Sequence, residues 1–559
     1  DAKLHPPMLY DLASRGLFTL LLFYGYRGSY FEKVKHQGLT EHGFARLTSD
    51  IGILLCHSIR SDLLPLFLEM MDFCCENVPR CKAANDFSVR ELLSCLAALQ
   101  KAQTVPCALI QKWKSNLGQI NPETCYTVWA KAPEDEIFNW ALFSASSEFM
   151  RQSAGLCESG DFIETQIASQ VKWLDENGMY RDAKLHPPML YDLASRGLFT
   201  LLLFYGYRGS YFETIDAALR KAALCTLAMQ SVSGEIAFGG RSNQFLFNEA
   251  WMAVIFEYEA RRYGREGNAA QARIFKGAAV RAIDALERWI MQEGVCHVKN
   301  RFPVETRYGC ESYAYFDKYM ITVASVLHDV YLVCDESIEA DMALSPACFQ
   351  SSAHFHKLFL RTAGYALEFD TNADPHYDAS GLGRVHKKGA PAPLCLSVPC
   401  PSQPNYALDL QNPPEISICT GVLTNEGWQF ATNIAHEVLS AFACDSLAQA
   451  ELLCRFADGQ AVRSKYTVTE DGITVDVLGE NEVALLLPAF HFDGAQHTEI
   501  IQSDQRLSVA YGGWVCYYET DGALLDLKQT GGNRHGHYRA FCATASKRLQ
   551  VRICISKQQ

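Results

Sequence analysis

Four carboxylic acids stand in surroundings that separate them from ordinary surface charge: Asp192, Glu249, Glu305 and Glu311. Asp192 lies in Gly178-Met-Tyr-Arg-Asp-Ala-Lys-Leu-His-Pro-Pro-Met-Leu-Tyr-Asp-Leu-Ala-Ser-Arg196. Tandem proline is tolerated where a helix begins, because the missing N–H has no partner there, so Tyr191, Asp192 and Arg196 fall in the first turns. The helix dipole favours an acid at that end, and Arg196, four residues on, shares its face. Glu249 lies in Phe238-Gly-Gly-Arg-Ser-Asn-Gln-Phe-Leu-Phe-Asn-Glu-Ala-Trp251, inside an otherwise apolar helix. A carboxylate buried there must be paired, protonated or facing a cavity, and Arg241 is one candidate partner. The two glycines make a turn, Ser242 is placed as an N-cap, and backbone N–H groups near Asn243 can hold an anion or a hydroxyl.

The stretch Asn300-Arg-Phe-Pro-Val-Glu-Thr-Arg-Tyr-Gly-Cys-Glu-Ser-Tyr-Ala-Tyr-Phe-Asp-Lys-Tyr-Met320 contributes Glu305, Arg307 and Glu311. Read as one helix, it aligns Tyr308, Glu311, Tyr315, Lys318 and Thr322 at three- and four-residue spacing, a polar and aromatic stripe. Aromatic faces stack on pyranose rings while acids and amines bond hydroxyls; a buried tyrosine network would give the same pattern. A fourth group, His376, Arg384 and His386, falls in His376-Tyr-Asp-Ala-Ser-Gly-Leu-Gly-Arg-Val-His-Lys-Lys-Gly389 and could bring positive charge across a domain interface. The two histidines stand ten residues apart with no third ligand at metal spacing, so no metal site is expected. Gly531-Gly-Asn-Arg-His-Gly-His-Tyr538 carries two further histidines.

These residues need a scaffold of two kinds. Between about Gly43 and Glu336, apolar residues recur every three or four positions and predict helices over 44–58, 62–77, 88–101, 136–152, 163–177, 188–206, 214–231, 242–264, 267–293 and 311–334. Segment 245–258 is apolar almost all round, as an inner helix must be, whereas 267–293 carries Arg273, Lys276, Arg281 and Glu287 and suits an outer layer. After about Ala347 the period shortens. Ile473–Leu478, Glu482–Pro488, Leu507–Tyr511, Gly513–Tyr518 and Leu549–Ile555 read as strands separated by Asp-Gly, Glu-Asn and Gly-Gly turns. Phe369–Pro404 reads as a long irregular loop, too long for a plain connection.

Asp1–Glu32 recurs without a difference as Asp182–Glu213. Structural repeats drift and recur at about 20–50 residues in three or more copies, so this is a duplication, and function is assigned to the copy at 182–213. Net charge −13 argues against a general nucleic-acid binder, which needs a basic stripe. The 21 cysteines show no C-x-x-C pair and read as mostly buried thiols, which favours a reducing, cytoplasmic location. No apolar run near the start approaches the roughly 20 residues of a membrane span, and phosphate-loop, dinucleotide, G-x-S-x-G and H-E-x-x-H motifs are missing, so no cofactor is expected.

Tyr-Asp-x-x-Ser-Arg, Asn-Glu-Ala-Trp and Glu-Ser-Tyr-Ala-Tyr on the inner helices of a helical unit followed by strands resemble carbohydrate-active enzymes of the (α/α) toroid type. Two relatives are similar in plan: gut bacterial β-glucuronidases and heparinase II/III-like polysaccharide lyases. The resemblance covers about residues 130–400 and is architectural. It implies an (α/α) toroid of helical hairpins over 33–346 and an antiparallel β-sandwich over 347–559, with loop 369–404 reaching the cleft. It also implies a substrate that is a uronic-acid-containing oligosaccharide or glucuronide, with self-association left open. A glycosidase would draw two carboxylates from Asp192, Glu249, Glu305 and Glu311. Tyr191, Arg241, Asn243, Arg307, Tyr308, Tyr315, Lys318, His376, Arg384 and His386 would hold the sugar. A lyase would instead neutralise the uronate and abstract the C5 proton with residues from Asn243, Arg241, Tyr308, Tyr315, His376 and His386. The acids on the inner helices favour hydrolysis, with inversion the course that the resemblance implies; the lyase and a non-catalytic glycan-binding protein are the alternatives.

Overall fold

The computed structural model describes residues 34–39, 42–82, 85–290 and 298–558, apart from the side chains of residues 85 and 316–318. The first copy of the duplicated segment and the Lys318 side chain therefore lie outside the described residues. Among the described residues, eleven helices of more than two turns precede the strands: α1 Gly43–Cys56, α2 Leu64–Asn77, α3 Asn85–Ala102, α4 Cys107–Leu117, α5 Trp140–Ser153, α6 Gly160–Val171, α7 Met189–Phe204, α8 Phe212–Met229, α9 Phe247–Arg265, α10 Ala269–Ile290 and α11 Phe316–Val333. Pro122–Cys125 adds a single turn.

The odd-numbered helices close a ring, α1 to α3, α3 to α5, and so on until α11 returns to α1. Each even-numbered helix packs outside its predecessor, which makes five hairpins and a sixth inner helix. Burial follows the residue pattern in α9, where Phe247 through Glu257 are buried without a break, so the helix has no wet face. Helix α10 is also buried all round in its middle, Phe275 through Ile283, and meets water only towards its ends, as at Arg273, Ile274 and Arg288. Pro188, held extended at φ −67° and ψ 132°, marks the start of α7. None of the described helices is long and apolar enough to cross a membrane.

The strands form two antiparallel sheets. The smaller has the order β1 Ala347–Gln350, β2 Lys357–Arg361, β3 Tyr365–Asp370 and β4 Gly381–Lys387. The larger has eleven strands, built on the antiparallel pair Gly472–Phe492 and Gly536–Lys557. Alternate burial along Ala448–Arg455 and Ala461–Thr469 turns one face inward. Leu358, Leu367, Phe369 and Val385 of the small sheet share one core with Val475, Leu487, Phe541 and Val551 of the large one, which makes the pair a sandwich. Helix α8 rests on β1 and β2.

Several expectations shift. Helix α4 escapes the periodicity reading because only Ile110, Trp113 and Leu117 are buried along it. The helix expected from 242 begins at Phe247, because Ser242 and Gln244 are left-handed at φ 56° and 67°. Ser242 is therefore not an N-cap; that position is Leu246. The helix expected from 311 begins at Phe316, so the 308–322 stripe has no common face. The 369–404 stretch is not one loop, since β4 pairs with β3 inside it and carries Arg384 and His386 into the interior.

Candidate active site

A cavity of about 400 Å³ opens where the inner helices begin. Arg46 of α1, Phe87 of α3, Trp140 and Phe143 of α5, Tyr191 and Ala194 of α7, Phe247 and Trp251 of α9, and Tyr319 and Thr322 of α11 line it. All stand in the first two turns of their helices, so six helix N-termini point their positive ends at one space. His42, Lys82, Thr127, Asn139 and Tyr313, from the segments between the helices, complete the polar wall. The chain's overall negative charge does not carry into the cavity, because exposed charges are screened beyond about 8–10 Å whereas these dipoles act at contact. Among the described residues no carboxylate lines it.

Three phenols of its wall meet on buried Ser242, just behind it. The Ser242 hydroxyl meets the hydroxyls of Tyr191 at 3.2 Å, Tyr313 at 3.1 Å and Tyr319 at 3.1 Å. A serine hydroxyl offers one proton and two lone pairs. It can accept from two phenols and donate to only one, so the third phenol keeps its proton for another acceptor. Burial, reinforced by neighbouring phenols, pushes all three tyrosines above the usual phenol range, and they are protonated at neutral pH.

The turn that presents Ser242 is strained at two non-glycine positions and tied down on all sides. The Ser242 N–H donates to Glu311 at 2.6 Å, and Gly240 N–H donates to Asp378 at 3.1 Å. Asn248 donates from its amide to Ser242 O at 3.2 Å. Gln244 meets His535 of the sandwich at 3.0 Å. Gly240, at φ 75°, leaves no room for a Cβ, which would stand 2.8 Å from Pro188. Glu311 in turn receives Arg534 at 2.6 and 3.2 Å, and Arg534 also donates to Gly309 O at 2.6 Å. The sandwich thus holds the 240–244 turn of the toroid through a buried ion pair and the Gln244–His535 hydrogen bond.

The four acids of the sequence reading do not share a pocket. Asp192 accepts from Arg196 at 2.8 Å and from Tyr180 N–H at 2.7 Å, fully buried. Glu249 is bound by Lys299 at 2.5 Å, so its partner is not Arg241. Glu311 serves the turn, and Glu305 is exposed on the Val304–Thr306 turn. A carboxylate bound this way in the interior is held by its ion pair and does not face the cavity, which weighs against the hydrolytic assignment.

Among the substrate-binding candidates, Tyr191 lines the cavity and Arg241 stands over its ring at 4.5 Å, 40% exposed and paired with Asp182. Burial lifts the Asp182 carboxyl to about 6, against the pull of Arg241. Arg307 donates to Glu311 O and Ser312 O at 2.8 Å and covers exposed Tyr315 at 4.5 Å, so both stand on the segment that ends in Tyr313 and α11. Asn243 spends its amide on Ala237 O at 3.1 Å and is buried, so it is a strut of the turn. Tyr308 is buried against Phe302, ring centres 3.5 Å apart. His376 is tied to Gln403 O at 2.9 Å. Arg384 pairs with Glu368 at 3.0 Å and donates to Ile236 O; His386 bridges Ser231, Ser233 and Ser397. Both are buried between the two domains, where strand pairing places them, and neither lines the cavity.

Sequence reasoning missed His42, Arg46, Asn139, Trp140, Tyr313, Tyr319 and Arg534. Tyr313 and Tyr319 sit in the tyrosine-rich 308–320 stretch, and the true helix start at Phe316 brings them, not Tyr308, to the cavity. Arg534 lies in the Gly531–Tyr538 segment, where the histidines drew the eye.

No family model matches the chain, and no curated protein does. Solved structures resemble it at low identity. A heparinase III structure is 9% identical with TM-score 0.49, covering 89% of this chain and 74% of the other. The chondroitin AC lyase of Streptomyces coelicolor A3, solved with chondroitin sulphate, is 11% identical with TM-score 0.48, covering 98% and 80%. A Paenibacillus xanthan lyase is 8% identical with TM-score 0.47, covering 91% and 53%.

Proposed function

We infer that the chain is a polysaccharide lyase that cleaves a uronate-containing glycan by β-elimination. The observation that carries this reading is the composition of the cavity: phenols, an imidazole, the cations Arg46 and Lys82 and aromatic rings at six helix N-termini, with Arg241 close by and no carboxylate in the wall among the described residues. Hydrolysis by the usual route needs two carboxylates flanking the bond. Elimination needs a cationic or hydrogen-bonding environment for the uronate carboxylate, a base for the C5 proton and an acid for the departing O4. Each has a counterpart here.

The helix N-termini and Arg241 favour the carboxylate and the negative charge that spreads onto it as the C5–H bond breaks. His42 is the imidazole of the cavity wall, its ring 5.0 Å from Phe87, and an imidazole is a suited proton acceptor near neutral pH. The C5–H electron pair forms the C4–C5 double bond, the C4–O4 bond breaks, and O4 takes a proton from the phenol that Ser242 leaves with one to give. Trp140 and Trp251 supply flat apolar faces for the sugar rings.

The test is turnover on uronate-containing polysaccharides, followed in the ultraviolet band of the unsaturated uronate. Replacing Tyr319 by Phe and His42 by Ala is expected to lower kcat by about 10²–10⁴-fold each, the usual worth of a positioned acid or base, with little change in KM. Full activity in both variants would overturn the assignment.

A further inference from the structure

A second cavity, of about 300 Å³, lies between the domains away from the phenol cluster. Its walls come from the end of α10, the start of the 298–311 segment, and the 389–393 and 511–514 turns of the sandwich. Three aromatic side chains line it, Trp289, Tyr511 and Trp514, together with the guanidinium-bearing Arg288 and Arg301. The two arginines are exposed, while the three rings are half-buried and fixed. Tyr511 donates to Asp493 at 2.8 Å and packs edge-on to Phe490, ring centres 5.1 Å apart. Lys557 stands 5.7 Å from the Trp514 ring, on the same side of the sandwich. At the floor, Glu235 is buried and shares Lys299, at 3.3 Å, with Glu249 at 2.5 Å, so the cations that meet a ligand are those of the rim.

Flat rings held in place with cations at the rim match one ligand chemistry. The faces of a pyranose ring are apolar at their C–H groups and stack on indole, and a carboxylate or sulfate on that ring meets a guanidinium in a two-pronged fork. A peptide strand would need exposed backbone groups at a sheet edge, and nothing here offers one. The volume is at the lower end of ligand sites, which run from about 300 to 1,000 Å³, and suits a short piece of chain. We propose that this cavity is a second glycan-binding site, which holds an acidic sugar unit of the polymer outside the cleavage cavity. The proposal rests on the glycan reading of the chain but not on its chemistry, since a holding site needs no turnover.

Affinity electrophoresis of the full chain in native gels, cast with a uronate polysaccharide or with its carboxyl-reduced neutral form, tests it. Wild-type protein should be retarded by the acidic polymer. Trp289→Ala with Trp514→Ala should weaken that retention by about tenfold, the size of one lost stacking contact. Arg288→Gln with Arg301→Gln, which gives up a hydrogen bond to Ser233 O and a 3.7 Å pair with Asp493 and is checked for folding by circular dichroism, should weaken retention only in the acidic gel. Turnover of the shortest cleavable oligosaccharide should stay at the wild-type level in both variants. Wild-type retention in both variants, or no retention of the wild type in any acidic gel, overturns the proposal. Lost turnover in the phenol and imidazole variants with retention intact would concern the cleavage site alone. Retention without any lyase activity in the wild type would remove the proposed reaction and keep the second site.

Discussion

Replacing Glu311 by Gln tests the role of the buried ion pair that joins the sandwich to the 240–244 turn. Glutamine keeps an oxygen that can accept the Ser242 N–H, now 2.6 Å from the carboxylate, and removes the charge that balances Arg534. Both side chains are only 2% exposed, so the guanidinium is left in the interior without its counter-charge. Breaking a buried pair from one side costs about 3–5 kcal/mol, because the remaining ion has lost its solvation and its partner. Arg534→Met should cost a similar amount, and it also strips Gly309 O of its donor. The double variant removes both charges and should be destabilised by clearly less than the sum, with a coupling energy of about 2 kcal/mol or more. Urea unfolding, followed by fluorescence and by circular dichroism, gives the four free energies of the cycle. If the single costs add within about 0.5 kcal/mol, Glu311 and Arg534 are not a working pair and the reasoning fails. Turnover adds a second reading. A positioning role predicts that the double variant is more active than Arg534→Met; a Glu311 that acts on substrate predicts that every variant lacking it stays inactive however stable it is.

Asp378 provides a pH test. Burial lifts its carboxyl to about 7, which Lys357 only partly offsets. Because that value lies above the ordinary carboxylate range, the folded state binds the proton more tightly; the stability this contributes is complete at low pH and is lost as pH rises from about 4 through 7. Asp378→Asn should therefore gain on the wild type between about pH 5 and pH 8 in urea midpoints, and parallel curves would contradict the assignment. Gly197 of α7 has no room for a methyl group, since a Cβ there would stand 2.4 Å from the Trp251 ring. Gly197→Ala should cost about 1–3 kcal/mol by overpacking and alter kcat/KM through Trp251; a neutral melt would refute that contact. Arg241→Lys keeps the charge but loses the planar fork, so KM should rise by about tenfold on the uronate substrate, while binding of the carboxyl-reduced form, which cannot eliminate, should keep its wild-type Kd.

The fold was legible where one physical rule governs many residues. The unbroken apolar run of 245–258 can only sit inside, and the strands from Ile473 to Ile555 announce themselves by alternation and turn residues. The site was less legible because its geometry depends on contacts far apart in the chain. Ser242 looks like a helix cap until its left-handed backbone and Glu311, 69 residues away, are seen together. Acids on inner helices looked catalytic because a buried carboxylate demands an explanation. The explanation turned out to be bases such as Lys299 and Arg534, whose proximity no local pattern encodes. Arg384 and His386 looked like loop residues because glycines and a proline-rich run surround them, yet strand pairing with β3 takes both inside. Tyr191 was read correctly as a residue of the α7 start, since the Pro187-Pro188 signal fixes that end locally.

The central claim is that cleavage adds no water to the glycan. Digestion of a uronate-containing polysaccharide in water enriched in heavy oxygen, with mass spectrometry of the fragments, tests it directly. The account predicts fragments that carry no heavy oxygen, with one new end lighter by the elements of water and absorbing as an unsaturated uronate. A saturated end carrying one heavy oxygen atom would contradict it and return the cleavage to hydrolysis.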